Sequence, residues 1–405
     1  MQRLGVKRDM EQQDTNFKAR SEALREQLIA WRRDFHQHPE LGFQEHRSAG
    51  VIADHLRGLG YRVQTGVATT GVVGLLEGQQ PGPVVMLRFD MDALPVAEAN
   101  EVPYASRNAE VMHACGHDAH MAMGMGVAAL MVSYRDRMKG TLKLVFQPGE
   151  EGMNGAEVMV REGVLENPRP DVVLAAHVWN EKPIGTVDVL PAAVMAAADK
   201  WTCTVRGKGG HGAAPHQTVD PIVAAAQIVT ALQTVVSRNV SPLETAVLTV
   251  GTIHGGNAFN VIPAQVDLTG TVRTYNPRVQ QTVWQRMRAV MENGAAACGA
   301  EVELEITPLT PAVVNDAHVS AVVRAAAEAV VGAENVSADS RTMGSEDAAF
   351  FLNEVPGCYF FLGSANAARG LNAPHHNPYF DIDEDVLPLG VAVFMHALAH
   401  QQFPF

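Results

Sequence analysis

Only four cysteines occur in 405 residues, and Cys115, Cys203, Cys298 and Cys358 are too sparse and scattered to brace a chain this long with disulfides. No stretch is apolar for long enough to span a bilayer, which argues against a membrane partner. The opening residues, Met1 to Arg25, are charged and polar without the apolar core of an export signal, so the expected compartment is the cytoplasm. A basic surplus is missing as well. The formal charge of −13 argues against nucleic acid or any other polyanion as a partner. No internal repeat or low-complexity segment stands out, and the glycine-rich stretch from Gly207 to Gly212 lacks the Walker pattern of a phosphate loop. What is present is 47% hydrophobic residues, ample for a core, in a chain whose length predicts two domains.

One segment concentrates chemistry. His113-Ala-Cys-Gly-His-Asp-Ala-His120 holds three imidazoles, a thiol and a carboxylate in eight positions. Cys115 and His117 stand at i and i+2, which face apart on a helix, so the pair suits a turn that Gly116 lets fold tightly. They are candidate metal ligands. The competing reading is a buried turn whose histidines bond to nearby backbone.

Other ligand-type residues stand where apolar runs end. Pro83-Val-Val-Met-Leu-Arg-Phe runs into Asp90-Met-Asp92, Thr141-Leu-Lys-Leu-Val-Phe runs into Gln147-Pro-Gly-Glu150-Glu151, and Asp171-Val-Val-Leu-Ala-Ala ends at His177. Short continuous apolar runs bounded by turn residues predict buried strands of a parallel sheet, and open α/β sheets place their sites beyond the carboxyl ends of the strands. The carboxylates and histidines are therefore expected to converge. Glu150 and Glu151, as neighbours in an extended segment, would point apart, one toward metal and one toward substrate; the competing reading is a solvated acidic turn.

The fold class expected is α/β, with a main domain split by an insertion. Apolar residues at helical spacing predict an opening helix over 23–35, ending near His38-Pro39-Glu40, then a second helix over 48–59, a helix over 121–131 and alternating strands. From 193 to 308 the order changes to strand 200–206, helix 221–237 begun by Asp220 as cap and Pro221 at its first position, strand 246–253, strand 265–273, helix 278–297 and strand 301–306. That βαββαβ order is a ferredoxin-like unit. The main domain would comprise 1–192 and 309–405, resuming with helix 319–331, strand 358–362 and helix 386–400.

Five motifs, spread in order over nearly the whole chain, resemble those of the M20 metallopeptidases, in the branch of aminoacylases, hippurate hydrolases and auxin-conjugate amidohydrolases. They are Arg88-Phe-Asp-Met-Asp-Ala-Leu-Pro95, the segment 113–120, Gln147-Pro-Gly-Glu-Glu-Gly152, Gly207-Lys-Gly-Gly-His-Gly-Ala-Ala-Pro-His216 and His376-Asn-Pro-Tyr-Phe380. Gly149 departs from the family, which commonly has alanine there. The resemblance implies two divalent ions per subunit (zinc, manganese, cobalt or nickel) held by Cys115, His117, Glu151, His177 and His376, with Cys115 bridging. It implies Glu150 as the general acid/base that activates the attacking water, and Asp92 as the carboxylate that orients a ligand histidine, against its alternative as a helix cap. It also implies His211 as a donor to the oxyanion and Asn260 and Arg273 around the substrate's carboxylate, where the residues alone suggest a hairpin loop and a strand-end surface arginine.

Several residues stay between readings. Asp118 bonds outward from the ligand loop or caps the helix that follows; His113 and His120 are assigned to packing or supporting bonds; His375 stands beside His376, which its Asn-Pro-Tyr-Phe sequel favours as the ligand. The activity implied is hydrolysis of N-acyl amino acids or related small conjugates, with domain 193–308 as lid and dimerisation unit of a homodimer or higher homo-oligomer. Two other functional readings stand beside it: a cysteine hydrolase with Cys115 as nucleophile, and a catalytically silent binding protein, against which the retained Glu150 argues.

Overall fold

The computed structural model describes residues 16–402, so most of the polar stretch Met1 to Arg25 lies outside the described residues. Within them the chain begins with helices α1 (Phe17–Glu22), α2 (Arg25–Gln37) and α3 (His46–Gly58) and strands β1 (Arg62–Val67), β2 (Gly71–Glu77) and β3 (Gln80–Asp90). Helix α4 (His117–Val132), strand β4 (Lys139–Gln147), helix α5 (Gly155–Arg161) and strands β5 (Val172–Pro183) and β6 (Val187–Asp188) follow. Next come β7 (Ala197–Arg206), α6 (Pro221–Asn239), β8 (Ala246–His254), β9 (Gln265–Thr274), α7 (Pro277–Ala297) and β10 (Glu301–Thr310). The chain closes with α8 (Ala317–Val331), β11 (Val336–Ser337), β12 (Gly357–Ala365) and α9 (Val386–Gln402).

Contacts divide the chain into two compact units. One contains the described residues up to Ala192 with Val314–Ser340 and those from Asp347 on; the other contains Ala193–Val313 and Arg341–Glu346. The first is built on an eight-stranded sheet in the order β1-β2-β4-β3-β5-β12-β6-β11. Its centre is parallel, as the continuous apolar runs predict, but β2 pairs antiparallel with both β1 and β4, and β12 pairs antiparallel with β6, so the sheet is mixed. The exposed positions of β1 fit the edge it forms with β2, since an antiparallel edge can keep solvent on one face.

Helix α4 is buried around almost its whole circumference, and small residues let it sit close. A Cβ at Gly124 would meet the rings of Phe146 and Phe89 at 2.7 Å. Helix α2 has an amphipathic stripe of Leu28, Arg32, Phe35 and His36, all buried.

Strand β3 pairs with β5 only from Val85 to Arg88, whereas β5 continues alongside β12 as far as Pro183. His177 therefore lies inside a strand, with Phe361 opposite it on β12, and the expectation that the strand ends there is corrected. The parting of β3 from β5 opens the carboxyl edge of the sheet.

The second unit has the antiparallel sheet order β8-β9-β7-β10 with α6 and α7 as its helices, the ferredoxin-like arrangement. Its own apolar core gathers Trp201, Ile228, Leu232, Leu268, Met287 and Met291. Asp220 caps α6 through the N–H groups of Ile222 and Val223, as expected.

Candidate metal centre

Beyond the carboxyl ends of β3 and β4, the loop before α4 turns on Gly116, whose φ of +93° is open to glycine, while a Cβ there would lie 2.3 Å from the Val178 side chain. Cys115 and His117 flank that turn. Four groups of potential ligand atoms, each with its members within 4.8 Å of one another, share residues here: Cys115, His117 and His177; Cys115, Glu151 and His376; His117, Glu150 and Glu151; and Asp90, His117 and His120. Cys115 thus belongs to two of them, with His177 Nε2 3.4 Å from its sulfur on one side and the Glu151–His376 pair, 3.3 Å apart, on the other.

The imidazoles are held from behind. His117 Nδ1 donates to the Asp92 carbonyl at 2.8 Å and lies 3.3 Å from Asp92 Oδ1; His177 Nδ1 donates to the Val178 carbonyl at 2.6 Å. With Nδ1 of each ring held by a carbonyl, Nε2 is the atom turned to the centre, where a bound ion would take the place of a proton. His117 Nε2 and Glu151 Oε1 are buried without a hydrogen-bond partner among the described residues, which is the state of atoms shaped for a cation.

The charge balance agrees. Burial, then the charges of Glu151, Glu150 and Asp90, pushes the Cys115 thiol well above its ordinary range, although the residue keeps a partly open face. Burial works against charge on His117, but Asp90 and Asp92 outweigh it and push its pKa up to about 10. Burial, with His120 and His375 adding to it, holds His177 well below its ordinary value. A pocket this rich in anions favours a positive ion, and thiolate, imidazole and carboxylate donors suit a divalent one. The raised thiol pKa opposes the reading of Cys115 as a nucleophile, which needs a thiolate.

Glu150 and Glu151 do not lie in an extended segment. They form a short irregular turn between Gly149 (φ +61°) and Gly152 (φ +74°), with Glu151 at φ −68°, ψ 74°. The turn, not strand alternation, aims both carboxylates, and the Glu151 N–H is anchored on Asp92 Oδ2 at 2.9 Å. Asp92 therefore bridges His117 and Glu151 and does not act as a helix cap.

Asp118 does not cap α4 either. Its Oδ2 accepts from Arg32 Nε at 2.8 Å and lies 2.7 Å from His36 Nδ1. His120 supports the site: its Nδ1 lies 2.5 Å from Asp90 Oδ1 and its Nε2 accepts the Val178 N–H at 3.0 Å. His113 is buried with neither ring nitrogen hydrogen-bonded among the described residues. His375 stacks on Trp179 and Phe380, and its Nε2 accepts the Asn180 N–H at 3.3 Å, while His376 turns its ring to Glu151 from a backbone at φ +65°.

His211, Asn260 and Arg273 are in the second unit. The short ladder Gly210–His211 with Val261–Ile262 brings His211 beside Asn260, whose carbonyl accepts from the Gly212 N–H at 2.8 Å. Arg273 is near the far end of β9, half-buried, bonding Thr271 and the Val272 carbonyl. The sequence reading did not single out Arg32, His36 and Asp381; the legible signal was a charged residue on the apolar stripe of α2, four positions after Leu28.

Residues 86–400 match the profile of peptidase family M20/M25/M40. Among relatives, an N-acetyl-L-cysteine deacetylase of Bacillus subtilis is 38% identical over 364 residues, 90% of this chain and 85% of that protein. The IAA-amino acid hydrolase ILR1-like 4 of Arabidopsis thaliana is 38% identical over 370 residues, 90% and 83% of the two chains. Among solved structures, the Bacillus subtilis YXEP protein, a dinuclear metal-binding peptidase from the M20 family, superposes with a TM-score of 0.83 at 32% identity, covering 94% of this chain and 99% of that one. The chain belongs to peptidase family M20/M25/M40, and within it is a metal-dependent hydrolase of amide bonds.

Proposed function

We propose that the protein hydrolyses N-acyl amino acids or closely related small amide conjugates at a centre of two divalent ions held by Cys115, His117, His177, Glu151 and His376. The observation that carries this reading is the sharing of Cys115 between two ligand groups, each with one buried atom, His117 Nε2 or Glu151 Oε1, that lacks a hydrogen-bond partner among the described residues. An amide has a weakly electrophilic carbonyl and a poor leaving group; the ions, when bound, polarise that carbonyl and lower the pKa of the attacking water. Glu150, whose carboxylate shares a group with His117 and Glu151, takes the proton of that water and returns it to the leaving nitrogen. Asp92 keeps His117 in the tautomer that presents Nε2. His211 is assigned to the oxyanion and Asn260 and Arg273 to the substrate's carboxylate by the family resemblance.

The reading includes residues 193–308 as a lid and dimerisation domain, supported by the resemblance and by the exposed Ile253, Phe259 and Val261 near the edge strand β8. Four unpaired thiols support a cytoplasmic location. No helix among the described residues is long and apolar enough to cross a membrane. The choice among zinc, manganese, cobalt and nickel belongs to experiment.

The test is release of free amino acid from N-acetyl, N-benzoyl and indoleacyl amino acids, after chelation and after adding back each metal alone. Release that disappears and returns with metal is expected. Equal cleavage by chelated and restored protein would sink the metal mechanism, and no cleavage of any substrate would sink the substrate class.

A further inference from the structure

We infer that Arg32 is a positioning residue for the metal centre, its guanidinium joining two of the segments that carry the ligands, the one with Cys115 and His117 and the one with His376, at a fixed separation. The inference rests on the metal-binding reading above. Arg32 comes from α2, the helix that the proposed function leaves without a role, and is wholly buried. Its Nε donates to Asp118 Oδ2 at 2.8 Å, one residue beyond His117. One terminal nitrogen donates to Asp381 Oδ1 at 2.7 Å, five residues beyond His376. The other lies 3.4 Å from Glu384.

Each end of this bridge is itself fixed. Asp118 Oδ2 also contacts His36, whose other nitrogen lies 3.2 Å from Glu98. Asp381 Oδ2 accepts from the Tyr104 hydroxyl at 2.8 Å, and Tyr104 in turn faces the Arg32 guanidinium with its ring, 5.0 Å away. The Asp381 carbonyl accepts from Asn180, which also holds the Ala373 carbonyl just before His375.

Two physical points select placement over bulk stability. First, a buried ion pair is seldom better for stability than apolar packing of the same volume, yet here a whole guanidinium and two carboxylates are taken out of water. Second, the loop 113–116 and the segment 373–381 lack a regular hydrogen-bond ladder between them; among the described residues they are joined by the backbone bond from His376 N to Ala114 O, 2.8 Å. A rigid five-donor fork can set the distance between such segments, and an ammonium cannot.

The experiment measures the dissociation constants of zinc and cobalt by calorimetry on chelator-stripped wild type, Arg32→Lys and Asp381→Asn, with the cobalt absorption spectrum and the metal-free unfolding midpoint of each. Asp381→Asn cuts one end of the bridge and leaves Arg32 paired with Asp118, so it decides the matter if Arg32→Lys does not fold. The expected result is about 10- to 100-fold weaker binding in both variants and an altered cobalt spectrum, with turnover restored at saturating metal. Lowered metal-free stability with unchanged affinity and spectrum would reduce Arg32 to a structural group and overturn the inference. A wild type that binds neither ion would sink the metal reading of the site, and this inference with it.

Discussion

At the scale of single residues, the centre works through a few atoms whose partners are fixed. Glu150 is one residue from Glu151, so a change at 150 that keeps shape tests chemistry apart from binding. Glu150→Gln is expected to lower kcat about 10²- to 10⁴-fold, the usual contribution of a positioned base, while metal content measured by atomic absorption stays at the wild-type level. Gly149 tells a second story. By size alone its departure from the family's alanine is neutral, since both residues are small, yet its φ of +61° is in the left-handed region and a Cβ would lie 3.2–3.4 Å from Phe43 and Met153. Gly149→Ala is expected to destabilise the protein by about 1 kcal/mol, read as a shift in the urea midpoint. Backbone conformation of this kind is not legible in residue size.

At the scale of elements, most of the organisation was readable. The apolar runs gave β3, β4, β5 and β12 because strands buried on both faces must be apolar throughout, and Asp220-Pro221 marked the start of α6 because its free N–H groups need that side chain. The antiparallel edges and the continuation of β5 past His177 were not readable, since pairing direction depends on which strands end up adjacent, a non-local fact. Nor was Arg32, because a charge on an apolar stripe becomes intelligible only once the acids from residues 118 and 381 arrive beside it.

Strand β4 carries another such residue. Lys143 is buried, its ammonium donating to the carbonyls of Glu166 and Pro168 at 2.9 and 3.0 Å. Burial pushes its pKa from 10.5 down to about 8, with Glu166 acting in the opposite direction. The unfolded chain thus holds that proton more tightly than the folded one. Stability is penalised fully below about pH 8 and rises as pH climbs from there through 10.5, by on the order of 2–3 kcal/mol. Denaturant titrations at about pH 7.5 and about pH 10.5 are expected to show this rise in wild type and to lose it in Lys143→Met.

At the scale of the whole molecule, two units with separate apolar cores are expected to respond separately to metal. The candidate ligands Cys115, His117, Glu151, His177 and His376 all belong to the first unit, where Glu150, Glu151, Asp90 and Asp92 crowd negative charge. Chelation is expected to lower the calorimetric transition of that unit by several degrees and leave the second transition in place, because a ligand stabilises only the body that binds it. Coincident shifts of both transitions would contradict this independence.

The seam of the insertion has a kinetic meaning. Ala192 accepts from the Asn315 N–H at 3.1 Å, and the Asn315 side chain also grips the carbonyls of Leu190 and Tyr359. Strand β12, which completes the central sheet beside β5, can join only after a detour of roughly 170 residues, about 120 of them the insertion, has been closed, at an entropic cost that grows with the length of free chain. A second unit that folds first shortens that detour by bringing its own two ends together. During synthesis the half-built sheet must therefore wait for the insert, and on refolding the fluorescence of Trp201 and Trp284 is expected to recover before that of Trp31 and Trp179, in variants that retain one pair or the other.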